Sequence, residues 1–199
     1  MSDLEIRKPI QKRSIKKKDT IVEKGFELIC NKGYYNTNTA EIAKYAGVST
    51  GIIYNYFKDK HDILIEALER FSDTIFYPIL SLPKKEENLT IVIEKIIKTC
   101  IKDHKLSDSA HKELMAMTYL DEQVEYYFKK REMDVTQNLY DVFVENGCSK
   151  NNLMEKSHII LGIIDNICHE CVYHKHEDLN YEIMKKEAID TIVDLLNKE

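Results

Sequence analysis

Apolar residues recur every three or four positions along most of this chain, a spacing typical of amphipathic helices rather than strands. Glycine, asparagine and serine residues separate the periodic stretches and mark where helices end and begin. The sequence therefore predicts an all-α chain of about nine helices. Their expected positions are 16–32, a short helix after Asn38 or Thr39, a short helix after Ser49, 60–77, 89–104, 107–118, 121–146, 151–175 and 180–197.

Residues 39–60, TAEIAKYAGVSTGIIYNYFKDK, predict two short helices joined by a tight turn. Ala43 and Ala46 are small enough to let one helix cross the other, and Gly47 suits a turn that needs a positive φ. Ser49 is expected to cap the second helix. This pattern is typical of a helix-turn-helix, whose second helix enters the DNA major groove. Its exposed face is expected to present Thr50, Gly51, Tyr54 and Asn55.

The distribution of charge favours contact between the N-terminal part and a polyanion. Residues 1–60 contain 12 Lys or Arg and 7 Asp or Glu, a net charge of +5. Residues 61–199 contain 17 and 27 of these residues, a net charge of −10. The net charge of −5 for the whole chain conceals this asymmetry. A DNA-packaging protein would usually be basic throughout, so a regulator fits the pattern better.

Other protein classes have little support in the sequence. Motifs for phosphate loops, hydrolase nucleophiles and zinc proteases are missing, as is a credible carboxylate cluster, so we expect no enzyme and no resident cofactor. No apolar run is long enough to span a membrane, so we expect a cytoplasmic protein. The five cysteines are irregularly spaced, which favours reduced thiols.

The first 70 residues closely resemble the DNA-binding domain of the TetR family of bacterial transcriptional repressors. The matching positions are Phe26, Gly33-Tyr34, Thr39, Ile42-Ala43, Ala46-Gly47-Val48-Ser49, Gly51, Tyr54, Tyr56-Phe57, Lys60 and Leu64. The resemblance implies a homodimer that binds a near-palindromic operator and is released by a small molecule. Residues 1–15 lack helical periodicity and contain Pro9, so we expect a flexible basic arm there, followed by a helix-turn-helix domain at 16–60 and a helical ligand-binding and dimerisation domain at 61–199.

The resemblance also assigns roles to individual residues. Those that resemble the family's phosphate contacts are Thr39, Ser49, Tyr54, Tyr56 and, at the start of the fourth helix, Lys60. The base-edge readers would be Thr50, Gly51 and Asn55. Many members have His where this chain has Tyr56, and the recognition helix lacks Arg and Gln, so guanine reading from it is disfavoured. An A·T-rich site, with Arg7 or Arg13 in the minor groove, is the hypothesis that follows.

The C-terminal two thirds would provide the dimer interface and the effector site. The last two helices have broad apolar stripes, and Gly162 would allow a partner helix to approach closely. Soft and aromatic residues of the middle helices would line a pocket for a small lipophilic effector. The candidates are Cys100, His111, Glu113, Met115, Met117, Tyr127 and Phe128. If Glu113 is buried, it would favour a cationic ligand.

The segment from Cys168 to His176, CHECVYHKH, leaves one alternative open. Thiols and imidazoles bind zinc, copper and haem, so this segment could make the protein a metal-, haem- or redox-sensing regulator. On a helix, however, Cys168 and Cys171 share a face while His169 points elsewhere. We therefore expect packed cysteines and exposed histidines, and no metal site.

Overall fold

The computed structural model describes residues 12–76, 88–103 and 108–198, and these residues form nine α-helices and no strand. The helices are α1 (Lys12–Lys32), α2 (Thr39–Tyr45), α3 (Thr50–Tyr54), α4 (Lys60–Phe76), α5 (Leu89–Asp103), α6 (Asp108–Leu120), α7 (Glu122–Glu145), α8 (Leu153–Val172) and α9 (Tyr181–Asn197). The predicted all-α fold is confirmed. Arg7 and most of the predicted basic arm lie outside the described residues.

The first helix begins earlier than the sequence pattern predicts. α1 starts at Lys12, so residues 12–15 are helical and are not part of a flexible arm. Lys and Arg are good helix formers, and this stretch contains no glycine or proline after Pro9 to prevent a helix. The backbone of the basic residues in the first turn of α1 is therefore helical.

The chain divides into two compact units, and the division differs from the predicted boundary at residue 60. Of the described residues, one unit contains 12–71 and 108–126, and the other contains 72–76, 88–103 and 127–198. α6 packs with α1 in the N-terminal unit.

The N-terminal unit has its own core at the crossing of its first four helices. Its buried apolar residues are Ile21, Val22, Ile42, Ala43, Ile53, Phe57, Ile63 and Ala67. Gly25 is buried among them: a β-carbon there would lie 2.7 Å from the Ile63 Cγ2 atom. α1 and α4 can approach this closely only because residue 25 has no side chain.

Two polar contacts join α6 and its C-terminal corner to this unit. The Tyr34 amide donates a hydrogen bond to the Glu113 carboxylate. At the corner between α6 and α7, the Asp121 carboxylate lies 2.9 Å from His61 Nε2 and also accepts hydrogen bonds from the first amides of α7. α6 is thus held to the α1–α2 turn and to the start of α4.

The C-terminal unit has a separate apolar core between four helices. It contains Ile93 and Ile96 of α5, Leu139 and Phe143 of α7, Ile160 and Ile164 of α8, and Ile192 and Leu196 of α9. α8 packs against α9, and α5 packs against both. None of the described helices combines the length and the hydropathy that crossing a membrane would require.

Candidate nucleic-acid interface

The helix-turn-helix forms where the sequence predicts it, and backbone hydrogen bonds define its turn. The Val48 amide donates to the Ala43 carbonyl at 2.9 Å, and Gly47 adopts a φ of +68°, a value that favours glycine. Upstream, Asn38 accepts a hydrogen bond from the Glu41 amide while the Glu41 carboxylate accepts one from the Asn38 amide. This capping box fixes the start of α2 and selects Asn38 from the two predicted alternatives, Asn38 and Thr39.

The start of α3 differs from the expected capping geometry. Ser49 occupies the N-cap position with extended backbone angles, but its hydroxyl makes no capping hydrogen bond. The prediction that the Ser49 side chain caps α3 is therefore wrong. α3 is only five residues long, and its orientation depends on the burial of Ile53 rather than on a cap. The Ser49 side chain is exposed at the start of the recognition helix.

The outer surface of α3 and its flanks is polar and open to solvent. Ser49, Gly51, Tyr54 and Asn55 are exposed, whereas Thr39, Thr50, Tyr56 and Lys60 are half-buried. No atom outside its immediate chain neighbourhood lies within 4 Å of a β-carbon built on Gly51. The chain backbone at Gly51 is therefore accessible to a large partner, as a base-reading helix requires.

The Tyr56 hydroxyl is positioned by α1. It lies 2.7 Å from the Ser14 hydroxyl, and this contact joins the first turn of α1 to the end of the recognition helix. Arg13 and Lys16 beside it are exposed. Sequence reasoning missed Ser14, because the predicted arm included it and no local pattern links positions 42 residues apart.

Lys60 has a structural role in addition to the predicted one. Its ammonium donates to the carbonyls of Tyr34 at 2.6 Å and Thr37 at 2.8 Å, and lies 4.2 Å from the centre of the Tyr34 ring. Burial lowers the pKa of Lys60, and the Asp59 carboxylate acts in the opposite direction. Two of its three N–H bonds are directed at the α1–α2 turn, so at most one can reach a phosphate.

Asp59 and Asp62 cap α4 next to Lys60. Asp59 Oδ1 accepts hydrogen bonds from the amides of His61 and Asp62 at 2.7 and 3.1 Å, and Asp62 Oδ2 accepts one from the Lys58 amide at 2.8 Å. Among the described residues, Asp59, His61 and Asp62 are the only set of three metal-ligand side chains within 4.8 Å of one another. Their carboxylates are already used to fix the start of α4.

The candidate effector residues fall in different units. His111, Glu113, Met115 and Met117 lie on α6 in the N-terminal unit, whereas the other three candidates, Cys100, Tyr127 and Phe128, lie in the C-terminal unit. His111 and Met117 are buried, and Glu113 binds the Tyr34 amide. Burial raises the pKa of the Cys30 thiol to about 12, and the Glu113 charge adds a smaller effect in the same direction. Glu113 thus has a partner within its own unit.

The Cys168–His176 segment does not bring its donor atoms together within the described structure. Cys168 is buried in the apolar core that also contains Cys100 of α5, while His174 and His176 are exposed. His169 Nδ1 lies 3.2 Å from the Asp165 carboxylate, and His176 Nε2 lies 3.6 Å from that of Glu170. Each of these two imidazoles thus lies beside an acidic side chain of α8.

Comparisons with known proteins agree with this architecture. A profile for bacterial regulatory proteins of the tetR family matches residues 21–67. The fatty acid metabolism regulator protein of Bacillus subtilis (strain 168) is 36% identical over 91 residues, which are 44% of this chain and 47% of that protein. The match thus spans less than half the length of that relative.

Solved structures extend the fold similarity to nearly the whole chain. A TetR-family transcriptional regulator from Mesorhizobium loti has a TM-score of 0.71 at 16% identity, covering 94% of this chain and 98% of that one. A transcriptional regulator from Saccharomonospora viridis, crystallised with choline, has a TM-score of 0.68 at 18% identity, covering 90% and 96%. The helix-turn-helix region of this chain is thus similar to that of bacterial regulatory proteins of the tetR family, and the fold of the whole chain is similar to that of TetR-family regulators.

Proposed function

We propose that this protein is a ligand-responsive transcriptional repressor that binds a near-palindromic DNA operator as a homodimer and is released by a small lipophilic effector. The observation that supports this most directly is the exposed polar surface of α3, with Ser49, Tyr54 and Asn55 accessible to a partner. Arg13 and Lys16 add positive charge on exposed positions of α1. Such a surface suits the phosphates and base edges of duplex DNA.

The proposed contacts divide into two groups. Hydroxyl groups that would bind phosphates belong to Thr39, Ser49, Tyr54 and Tyr56. Base edges would be approached by Thr50, Gly51 and Asn55, with Asn55 suited to adenine. For Lys60 we propose at most one phosphate contact, since its ammonium already binds two carbonyls.

We propose that α8 and α9 form the dimer interface. Their buried residues face the subunit's own core, yet Ile159 and Ile183 remain 55% and 57% exposed. Ile159, Gly162 and Ile163 follow one another at helical spacing on the same face of α8. Burial of such an apolar face by a second copy would stabilise a dimer.

For the effector we propose a lipophilic compound, with a cationic group as one option. Tyr127 and Phe128 are half-buried, with ring centres 6.1 Å apart, and they would provide aromatic surface. The choline bound by the Saccharomonospora regulator and the fatty acid role in the name of the Bacillus relative guide the choice of compounds to test. Quaternary ammonium and long-chain acyl compounds are therefore the first candidates.

The test is fluorescence anisotropy with DNA that flanks the protein's own gene, at several salt concentrations. We expect specific binding whose logarithm falls linearly with log[salt]. Tyr54→Phe removes a proposed phosphate contact and should weaken binding about 10- to 100-fold, because hydrogen bonds to charged groups contribute about 1.5–3 kcal/mol. The matched control is Tyr119→Phe, the same change at a side chain that is 88% exposed on α6.

Equal affinity of both variants for the operator would contradict the proposed recognition surface. The effector is tested by adding the two compound classes to the protein–DNA complex. Release by one class would support the repressor proposal and identify the effector chemistry. If saturating amounts of every tested compound leave operator binding unchanged, release by these compounds is refuted, whereas the DNA-binding proposal is judged by the Tyr54→Phe comparison alone.

A further inference from the structure

The first turn of α1 has a serine on the face that the rest of the helix packs against the N-terminal core. Ser14 precedes Lys18 by one turn and Ile21 by two, so these three side chains share one face of α1. Ile21 is fully buried, and the Lys18 ammonium lies 5.3 Å from the centre of the Phe57 ring. The neighbouring Ile15 is 42% exposed, whereas Ser14 is half-buried. The core-facing side of α1 thus ends in a hydroxyl group.

Tyr56, which binds this hydroxyl, is held at three points. Its amide donates a hydrogen bond to the Ile53 carbonyl at 2.9 Å. Its ring packs against the N-terminal core, with its centre 6.5 Å from that of the Phe57 ring. Its hydroxyl lies 2.7 Å from the hydroxyl of Ser14, 42 positions earlier in the chain. The backbone and the ring fix the place of the residue, and the Ser14 contact fixes the direction of the phenol proton.

We infer that Ser14 is a positioning residue for operator binding, which donates its proton to the Tyr56 oxygen and so directs the Tyr56 proton at a DNA phosphate. This inference rests on the proposed function, because it names the group that orients one proposed phosphate contact. Two hydroxyls that share one hydrogen bond keep one further proton, and each hydroxyl can donate only its own. The phenol is the more acidic of the two, so it is the better donor to an anionic acceptor.

The arrangement fits a phosphate better than a neutral partner. A phosphate oxygen accepts hydrogen bonds and donates none, and a bond to a charged acceptor is roughly twice as strong as a neutral one. In a chain that runs from Ser14 through Tyr56 to the phosphate, each hydrogen bond polarises the next. Arg13 and Lys16, both exposed, add positive charge beside the pair. Ser14 itself adds no charge, which separates its effect from that of the neighbouring cations.

The experiment compares Ser14→Thr with Ser14→Val in the full-length protein. Threonine and valine have nearly the same shape and differ in one hydroxyl group, so steric effects common to both variants cancel. Operator affinity is measured by fluorescence anisotropy at several salt concentrations. We expect Ser14→Val to bind about 3- to 10-fold more weakly than Ser14→Thr, the loss expected for one hydrogen bond. The salt dependence of the two affinities should be the same, because neither change alters a charge.

A second pair of variants tests whether Ser14 acts through Tyr56. In the Tyr56→Phe background, the difference between threonine and valine at position 14 should fall below about 2-fold, since the oxygen that accepts the Ser14 proton is gone. The matched control is Ser109→Ala, which removes the hydroxyl of an exposed serine in the first turn of α6. This variant should bind the operator as the unaltered protein does. If valine or threonine prevents α1 from folding, Ser14→Ala compared with the unaltered protein replaces the pair.

Three results would overturn the inference. Equal affinities of Ser14→Thr and Ser14→Val would show that the hydroxyl is not needed. The same difference with and without the Tyr56 hydroxyl would show that Ser14 acts independently of Tyr56. A changed salt dependence would show that Ser14 acts through the placement of Arg13 and Lys16.

The same measurements distinguish this inference from the proposed function. Absence of specific operator binding by the unaltered protein would refute the proposed function and this inference with it. Binding that Tyr54→Phe weakens and Ser14→Val does not would refute this inference alone.

Discussion

Replacing Gly51 by alanine separates the folding role of the recognition helix from its proposed DNA contact. A β-carbon at this position has no neighbour within 4 Å, and the Gly51 φ is not in the left-handed region. Alanine is favoured over glycine in a helix by about 0.8–1 kcal/mol, less near helix ends. We therefore expect Gly51→Ala to leave the free energy of unfolding unchanged or to raise it by up to about 1 kcal/mol.

The same methyl group should weaken DNA binding. If the backbone of α3 lies against the bases, the added carbon has to displace contacts that are already packed. Overpacking of a close contact costs about 1–3 kcal/mol, which corresponds to about 5- to 150-fold in Kd. Fluorescence anisotropy with the operator measures this change, and urea unfolding followed by circular dichroism measures the stability of the same preparation.

Two results would refute this reasoning. Unchanged operator affinity with unchanged stability would show that the α3 backbone near Gly51 does not approach DNA closely. A clear loss of stability would show instead that the space around Gly51 is filled in the folded protein. Only a loss of affinity in a stably folded variant agrees with the proposed interface.

Three further predictions follow from the packing and the ion pairs. Gly25→Ala should lower the free energy of unfolding by about 0–2 kcal/mol, because the clash with Ile63 costs about 1–3 kcal/mol while the higher helix propensity of alanine restores about 1 kcal/mol. Urea unfolding, with Gly51→Ala measured in parallel, gives this change. A gain in stability would contradict the close α1–α4 contact. Gly162→Ala should weaken the dimer in sedimentation velocity without destabilising the subunit, because a β-carbon there has no neighbour within 4 Å in the subunit; an unchanged dimer would place the interface elsewhere. Burial raises the pKa of Asp121, but hydrogen bonds from the Val124 amide and from His61 outweigh it, so the pKa lies below 3.8. A depressed carboxyl pKa stabilises the fold above the unfolded value and loses that contribution as the pH falls through the folded value, so Asp121→Asn should cost about 1–2 kcal/mol at pH 6 and progressively less below pH 3.8. If the difference between the urea midpoints of the two proteins is the same at all pH values, this role of Asp121 is excluded.

Local sequence patterns determined most of the secondary structure and the centre of the candidate site. The spacing of apolar residues predicts every described helix, with ends displaced by a few residues. It does so because an α-helix has 3.6 residues per turn, so residues that face the core recur every three or four positions. Helix boundaries are marked by Asn38 with Glu41, by Gly47 and by Asp59. These signals can be read from the sequence because a capping hydrogen bond or a positive φ involves only residues that are close together in the chain. The recognition surface was predictable for the same reason, since α3 and its turn form one short continuous segment.

Contacts between distant segments were decided only by the tertiary structure. Periodicity predicts that a face of α6 is buried but not which segment covers it, so the hydrogen bond that Glu113 accepts from the Tyr34 amide was not predictable from the sequence. For the same reason, the sequence could not pair Ser14 with Tyr56, or decide that Cys168 lies in the apolar core rather than beside the neighbouring histidines. The sequence determines which side chains must be buried or hydrogen-bonded, and the packing of the helices selects their partners, because an amphipathic face is compatible with many different neighbours.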